Sequence, residues 1–242
     1  SEHRPRARRR ESELTDAPKK IKLDMHTHSE YSPDSRTPIA VQALAIKAAG
    51  LDVVAATDHN TIEGALRLRE KADGFRVIVG EEISSRDGEI IGLFLEKAIP
   101  RDLSAEDTIA RIHDQGGLVS VPHPYSHNRI YRIRREVLER VWPTIDAIEV
   151  FNAREAIAND NRRALAFSVL HGIPGAVGSD AHRPWEIGRA YIEIPDFTGR
   201  ADFIDSLKTG AVTGRLAGHA IHFYTRYDKW RKWWSRRWSR TT

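Results

Sequence analysis

IKLDMHTHSEYSPD, residues 21–34, begins as a short apolar run and turns at once into imidazoles and carboxylates. The same passage from apolar to polar recurs in LDVVAATDHN (51–60), FRVIVGEE (75–82), GLVSVPH (117–123), IDAIEVFN (145–152) and GIPGAVGSDAH (172–182). With EIIGLFL (89–95) and RAYIEI (189–194), these runs read as strands. Their near-continuous apolar character predicts a parallel sheet buried on both faces. Between them lie segments such as TPIAVQALAIKAAG (37–50), SAEDTIARIHDQGG (104–117), AREAIANDNRRALAFSVLHG (153–172) and RADFIDSLKTG (200–210), several carrying helix start and stop residues. Alternation of strand and helix predicts a β/α barrel. In that fold the C-terminal ends of the parallel strands open on one face, so polar residues distant in sequence meet there.

At 242 residues the chain has the length of one such domain. Cysteine is absent, which removes disulfides, thiolate nucleophiles and iron–sulfur clusters and leaves imidazole and carboxylate as metal ligands. No run approaches the length of a transmembrane helix and no apolar segment follows the basic start, so a cytoplasmic protein is the expectation. The net charge of +4 is unevenly placed. Residues 1–20 hold seven basic and four acidic side chains, and residues 221–242 hold seven basic and one acidic. The intervening body is therefore acidic, as a carboxylate-lined metal site would make it. The division predicted is a disordered basic tail (1–20), a barrel domain (21–215) and a Trp- and Arg-rich amphipathic segment (216–242).

Two pairs dominate the strand ends. In His26-Thr27-His28 and Asp180-Ala181-His182, alternation along extended backbone puts both side chains of a pair on the same side. An isolated pair of this kind is weak evidence, but Asp58-His59, Glu82 and His123 stand in register with them. As an ordered set, HTHSEYSPD (26–34), TDHN (57–60), GEEIS (80–84), PHP (122–124) and GSDAH (178–182) resemble the motifs of the PHP (polymerase and histidinol phosphatase) superfamily over residues 21–194. The resemblance implies a distorted (β/α)7 barrel with two or three divalent ions at the C-terminal ends of its strands. It implies that His26, His28, Glu82 and Asp180 hold one ion, Glu82 and His123 a second, and Asp34, His59 and His182 a third, with Glu82 bridging. Glu82 is preferred to Glu81 because the family pattern is Gly-x-Glu and only one of two neighbours on a strand faces the mouth; Glu81 then faces a supporting layer or solvent. Asn152 stands where relatives often supply a further histidine to the metal. No helical insertion fits between Glu82 and His123, so an open site is expected.

Imidazole with carboxylate suits Mn, Fe or Zn, with Mg as a further option. Such ions answer the central difficulty of phosphate ester hydrolysis, which is bringing hydroxide to an anionic phosphorus centre. His59 and His182 are expected at the reacting centre with Asp58, which would orient His59, accept a proton, or cap the next helix. Arg129 and Arg154 are the candidates for gripping substrate phosphate. The reaction expected is hydrolysis of a small phosphorylated metabolite or nucleotide. The alternatives are a 3'-5' exonuclease or oligonucleotide phosphodiesterase, and a non-catalytic metal-stabilised module. If helical, residues 222–240 align Phe223, Tyr227, Trp230, Trp234 and Trp238 on one face with cations largely opposite. That pattern suits an anionic membrane or nucleic acid, or packing on the barrel itself or on a second subunit.

Overall fold

The computed structural model describes residues 19–217, so the expected tails (1–20 and 216–242) lie outside the described residues except for 19–20 and 216–217, and Lys20 already belongs to the first strand. The elements are β1 (Lys20–Thr27), α1 (Ile39–Ala48), β2 (Val53–Ala56), α2 (Glu63–Lys71), β3 (Arg76–Ser85), β4 (Gly88–Leu93), α3 (Ala105–Asp114), β5 (Leu118–Val121), α4 (Arg135–Val141), β6 (Ala147–Asn152), α5 (Ala158–His171), β7 (Gly175–Gly178), β8 (Ala190–Pro195), α6 (Arg200–Lys208) and β9 (Ala211–Gly214).

The strands form one sheet in the order β7-β6-β5-β4-β3-β2-β1-β8-β9. It curls until β1 meets the end of β7: Asp180 N–H donates to the His26 carbonyl (2.7 Å) and His28 N–H to the Ala181 carbonyl (2.9 Å). Asp24, a buried acid inside β1, reinforces the seam by accepting from Ser179 N–H at 2.9 Å. The result is the distorted seven-stranded barrel that the motifs implied, with β8 and β9 continuing outside the seam. Leu23, Val54, Ile83, Val121, Ile148 and Val177 are completely buried in its core.

Two strands depart from the parallel expectation. β4 pairs antiparallel with both β3 and β5, because the two-residue connection Arg86–Asp87 makes a hairpin and leaves no room for a crossover helix. β8 runs antiparallel to β1, and β9, unmarked by any long apolar run, pairs with β8. Reversal of β4 puts its N-terminal end at the barrel mouth, where Glu89 opposes Ser84 of β3.

Candidate metal centre

The strand ends bring His26, His28, Asp34, His59, Glu82, His123, Asp180 and His182 into one buried cluster. His26 Nε2 and His28 Nε2 lie 3.0 Å apart, with Glu82 Oε2 3.3 Å from each. Glu82 Oε1 is 3.0 Å from His123 Nε2, so its two oxygens face opposite halves of the cluster. Asp34 joins the other flank, 3.2 Å from His182 Nε2 and 3.5 Å from His59 Nε2. Donor atoms of His28, His59 and His182, of His26, His28 and Glu82, and of His26, His123 and Asp180 fall within 4.8 Å of one another in each set. A fourth set, His59, Glu82 and Glu89, contains a carboxylate that sequence reading missed. No strand-end signal marks Glu89, because its strand runs backwards.

Hydrogen bonds fix which nitrogen of three imidazoles faces inward. Ser32 Oγ donates to Asp58 Oδ1 (2.7 Å), so the His28 Nδ1 contact at 2.9 Å requires His28 to be the donor. His182 Nδ1 donates to the Asp180 carbonyl at 2.8 Å, and His26 Nδ1 faces Glu149 Oε1 at 3.1 Å. In each ring the bare Nε2 is left toward the cluster, the arrangement that outer carboxylates and carbonyls impose on metal-binding histidines. Glu149 also accepts from His123 N–H (2.7 Å), a supporting role that its strand-end position alone did not disclose.

Local backbone serves the same end. His123, between Pro122 and Pro124, has φ +30°, and Asp180 has φ +53°, both in the left-handed region. Strain of that kind persists where surrounding structure enforces it. β7 passes so close to β1 at Gly178 that an added Cβ would stand 2.4 Å from His26 Cβ and 2.5 Å from Glu149 Oε1. Only glycine fits there.

Several expected roles change. Arg154 is buried and pairs with Glu186 Oε2 at 3.2 Å, the atom that also accepts from His182 N–H at 2.7 Å. It braces the His182 loop instead of lining the mouth. Asn152 spends its amide NH2 on Glu149 (3.0 Å) and Asp180 (3.2 Å), while its Oδ1 accepts from Arg154 N–H (2.8 Å), so the group it turns to the cluster is a donor and not a metal ligand. Asp58 does not cap α2 through a hydrogen bond, although its Oδ2 packs against Gly64 in the first turn of that helix; it accepts from Ser29 N–H and Ser29 Oγ, both at 2.6 Å, and from Ser32. Arg129 lies across the cluster with Nη2 on Asp180 Oδ2 and Nε 3.7 Å from Glu155. Glu81, far from solvent, is fully buried and accepts from Ile99 N–H at 2.8 Å. The cluster is deeply set, with His59 the most exposed of its eight side chains, at 13%.

The electrostatics are those of a cation site. Burial opposes charge on every group, yet neighbouring imidazoles hold Asp34 and Glu82 well below the usual carboxylate range, and Arg129 and His26 do so for Asp180. Reciprocally, Asp180, Glu82 and Glu149 outweigh burial at His26 and hold it well above the usual range, and Glu82 with Asp34 carries His59 to about 10. Burial and the charge of Glu82 push Glu89 up to about 8. Burial and Arg154 push His182 down to about 3. The donor set fits divalent ions on its own chemistry. Asp180 Oδ1 and His123 Nδ1 are buried without a hydrogen bond, and the bare Nε2 atoms of His26 and His28 face each other at contact distance.

A barrel of this curl with a buried imidazole–carboxylate cluster at its mouth defines a metal-binding class. The chain belongs to the PHP domain family, which it matches over residues 24–149, and residues 158–212 match the PHP-associated family. Among its relatives are two uncharacterised proteins of Methanocaldococcus jannaschii. MJ1587 is 42% identical over 58% of this chain and 88% of its own length, and MJ0417 is 35% identical over 78% and 79%. Similar folds occur in a two-domain protein of Bacteroides vulgatus containing a predicted PHP-like metal-dependent phosphoesterase (TM-score 0.67, 19% identity, 93% of this chain and 75% of that one) and in PsfC of Pseudomonas syringae (0.64, 17%, 87% and 98%).

Proposed function

We propose that this protein is a metal-dependent phosphoesterase that releases phosphate from a small phosphorylated molecule. The observation that carries the reading is the convergence of imidazole nitrogens and carboxylates on one buried point, with His26 Nε2 and His28 Nε2 3.0 Å apart and Asp180 Oδ1 buried beside them without a hydrogen bond. Five buried carboxylates (Asp34, Glu82, Glu89, Glu149, Asp180) surround the cluster and outnumber the guanidinium of Arg129, the other buried guanidinium nearby, Arg154, being paired with Glu186. With neutral imidazoles and all five carboxylates ionised, two divalent ions would balance that charge, and a third would enter with an anionic substrate. The ligand roles implied by family resemblance are retained, with Glu82 shared between sites and Glu89 added beside His59. When bound, divalent ions acidify water and neutralise phosphoryl oxygens. Mn, Fe or Zn suit these donors best.

The chain's own residues orient and exclude. Ser32, Glu149 and the Asp180 carbonyl aim the imidazoles, and Arg129 with Asn152 engages Asp180 Oδ2, turning Oδ1 inward. His59 is placed at the opening, where substrate arrives. A cluster set below the surface suits a terminal phosphoryl group better than an internal link in a strand, which favours phosphatase over phosphodiesterase. Seven cations in residues 221–242 support the second reading, an exonuclease, whose mark is nucleotide products and dependence on that segment. Purified protein should be assayed for bound metals and screened with Mn²⁺ against nucleotides, sugar phosphates, histidinol phosphate and short oligonucleotides. His26→Ala is expected to abolish turnover, and activity retained in that variant would refute the assignment.

A further inference from the structure

Glu155 is a buried acid without a hydrogen bond: both of its oxygens are shut off from solvent and from every donor among the described residues. The Ser126 hydroxyl beside it gives its hydrogen to Asn128 Oδ1 at 2.9 Å. A buried polar group left in this state costs stability and calls for a reason. The cation it faces is Arg129, whose Nε stands 3.7 Å from Glu155 Oε1 and is itself buried without a hydrogen bond.

Arg129 lies on a segment whose backbone is pinned on both sides of it. His127 N–H and Nδ1 meet the two carboxylate oxygens of Asp160 in α5, at 3.0 and 2.5 Å. Beyond Arg129, the Tyr131 carbonyl accepts from Glu89 N–H at 2.7 Å, and Arg134 N–H donates to the Asp87 carbonyl at 2.9 Å. With the backbone held, the direction of the side chain is left to its partners. Nη2 engages Asp180 Oδ2 and Nε turns to Glu155, so one edge of the guanidinium faces carboxylates. Nη1 makes no hydrogen bond or ion pair among the described residues. The Arg129 side chain is 20% exposed, more than any of the eight in the cluster, so the unengaged nitrogen belongs to the group that incoming substrate meets. Guanidinium is the donor best matched to phosphoryl oxygens.

We propose that Arg129 grips the substrate's phosphoryl oxygens through Nη1, and that Glu155 is the positioning residue that holds it in that pose. The inference rests on the phosphoesterase reading and adds to it the group that binds the phosphate and the acid that aims that group. Asp180 is shared with His26, His28 and His182, whereas Glu155 makes no ion pair among the described residues except with Arg129.

Calorimetric titration of the full chain with inorganic phosphate, in buffer containing Mn²⁺, reads this without turnover. Arg129→Met is expected to weaken phosphate binding by at least about tenfold, the size of a lost hydrogen bond to a charged group. Glu155→Leu, which removes both oxygens, is expected to weaken it about tenfold, with Tm and Mn²⁺ affinity unchanged. Glu155→Gln keeps an oxygen that accepts from Nε and is expected to restore binding to within about threefold of wild type. Arg135→Ala, which removes an exposed cation of α4, should bind phosphate as wild type does. A wild type that binds no phosphate would overturn the proposal, as would wild-type affinity in Arg129→Met or in Glu155→Leu. Equal losses in the Leu and Gln variants, or a parallel fall in Mn²⁺ affinity, would also overturn it by making Glu155 a structural residue. Phosphate binding that depends on Arg129 and Glu155 in a protein that hydrolyses no ester in the screen would sink the phosphoesterase reading and leave this one standing.

Discussion

Ser32 Oγ gives its only hydrogen to Asp58 and accepts from His59 N–H at 3.0 Å, so its contact with His28 Nδ1 leaves Nε2 of that ring bare and aimed at the cluster. One hydroxyl thus sets a tautomer, a loop and the direction of a lone pair. Removing it in Ser32→Ala takes away the acceptor that holds His28 and leaves a buried ring free to turn. Outer partners of this kind are typically worth 10–100-fold in metal affinity. Calorimetric titration of metal-stripped protein with Mn²⁺ is expected to show weaker binding of about that size; unchanged affinity would remove Ser32 from the supporting layer. Sequence motifs point to His28 but are silent on Ser32, because the contact depends on how the turn after β1 folds. The same limit explains Arg154. Its position after β6 is legible, whereas the direction of a long side chain toward Glu186 is settled by the His182 loop, 32 residues away from it along the chain.

The β3–β4 hairpin shows how one element divides two adjacent acids. Alternation sends Glu82 into the cluster and Glu81 to the opposite face, beneath the backbone at Ile99. Burial pushes Glu81 up to about 7 from 4.5, with the Ile99 amide pulling the other way. A carboxyl whose folded value is raised binds its proton more tightly in the native state. Its contribution to stability is therefore greatest below pH 4.5 and falls as pH rises toward 7, by on the order of 3 kcal/mol. Glu81→Gln keeps an acceptor for Ile99 N–H and cannot ionise. Denaturant melts at intervals from pH 4.5 to 8 are expected to show wild type losing stability relative to this variant up to about pH 7, with a constant difference above it. Parallel pH profiles would show that Glu81 is solvated. The existence of this hairpin was half legible: both apolar runs are plain in the sequence, but the reversal of β4, and with it the arrival of Glu89 at the mouth, follows from a two-residue connection too short for a helix.

For the whole molecule, the barrel closes around charge it cannot neutralise alone. The apolar runs, their alternation with helices and the strand-end motifs made the barrel legible, since each is a local pattern. Closure depends on pairings such as Asp180 with His26 that span the chain and leave no local mark. Those pairings bring the five carboxylates together, and without cations His26, His28 and His59 bind protons more tightly than free imidazoles, all three being held above the usual range against the cost of burial. Divalent ions relieve both penalties, so metal loading should act on the fold as well as on turnover. At about 100 times its dissociation constant, an ion bound only by the native state adds about 2.7 kcal/mol. Two such sites in a domain of this size correspond to a rise in Tm of about 10–20 °C. Calorimetric scans of chelator-stripped protein, before and after adding Mn²⁺, are expected to show that rise in wild type and most of it lost in His26→Ala. A wild-type Tm unmoved by Mn²⁺, Fe²⁺ and Zn²⁺ alike would mean that the gathered donors do not grip ions.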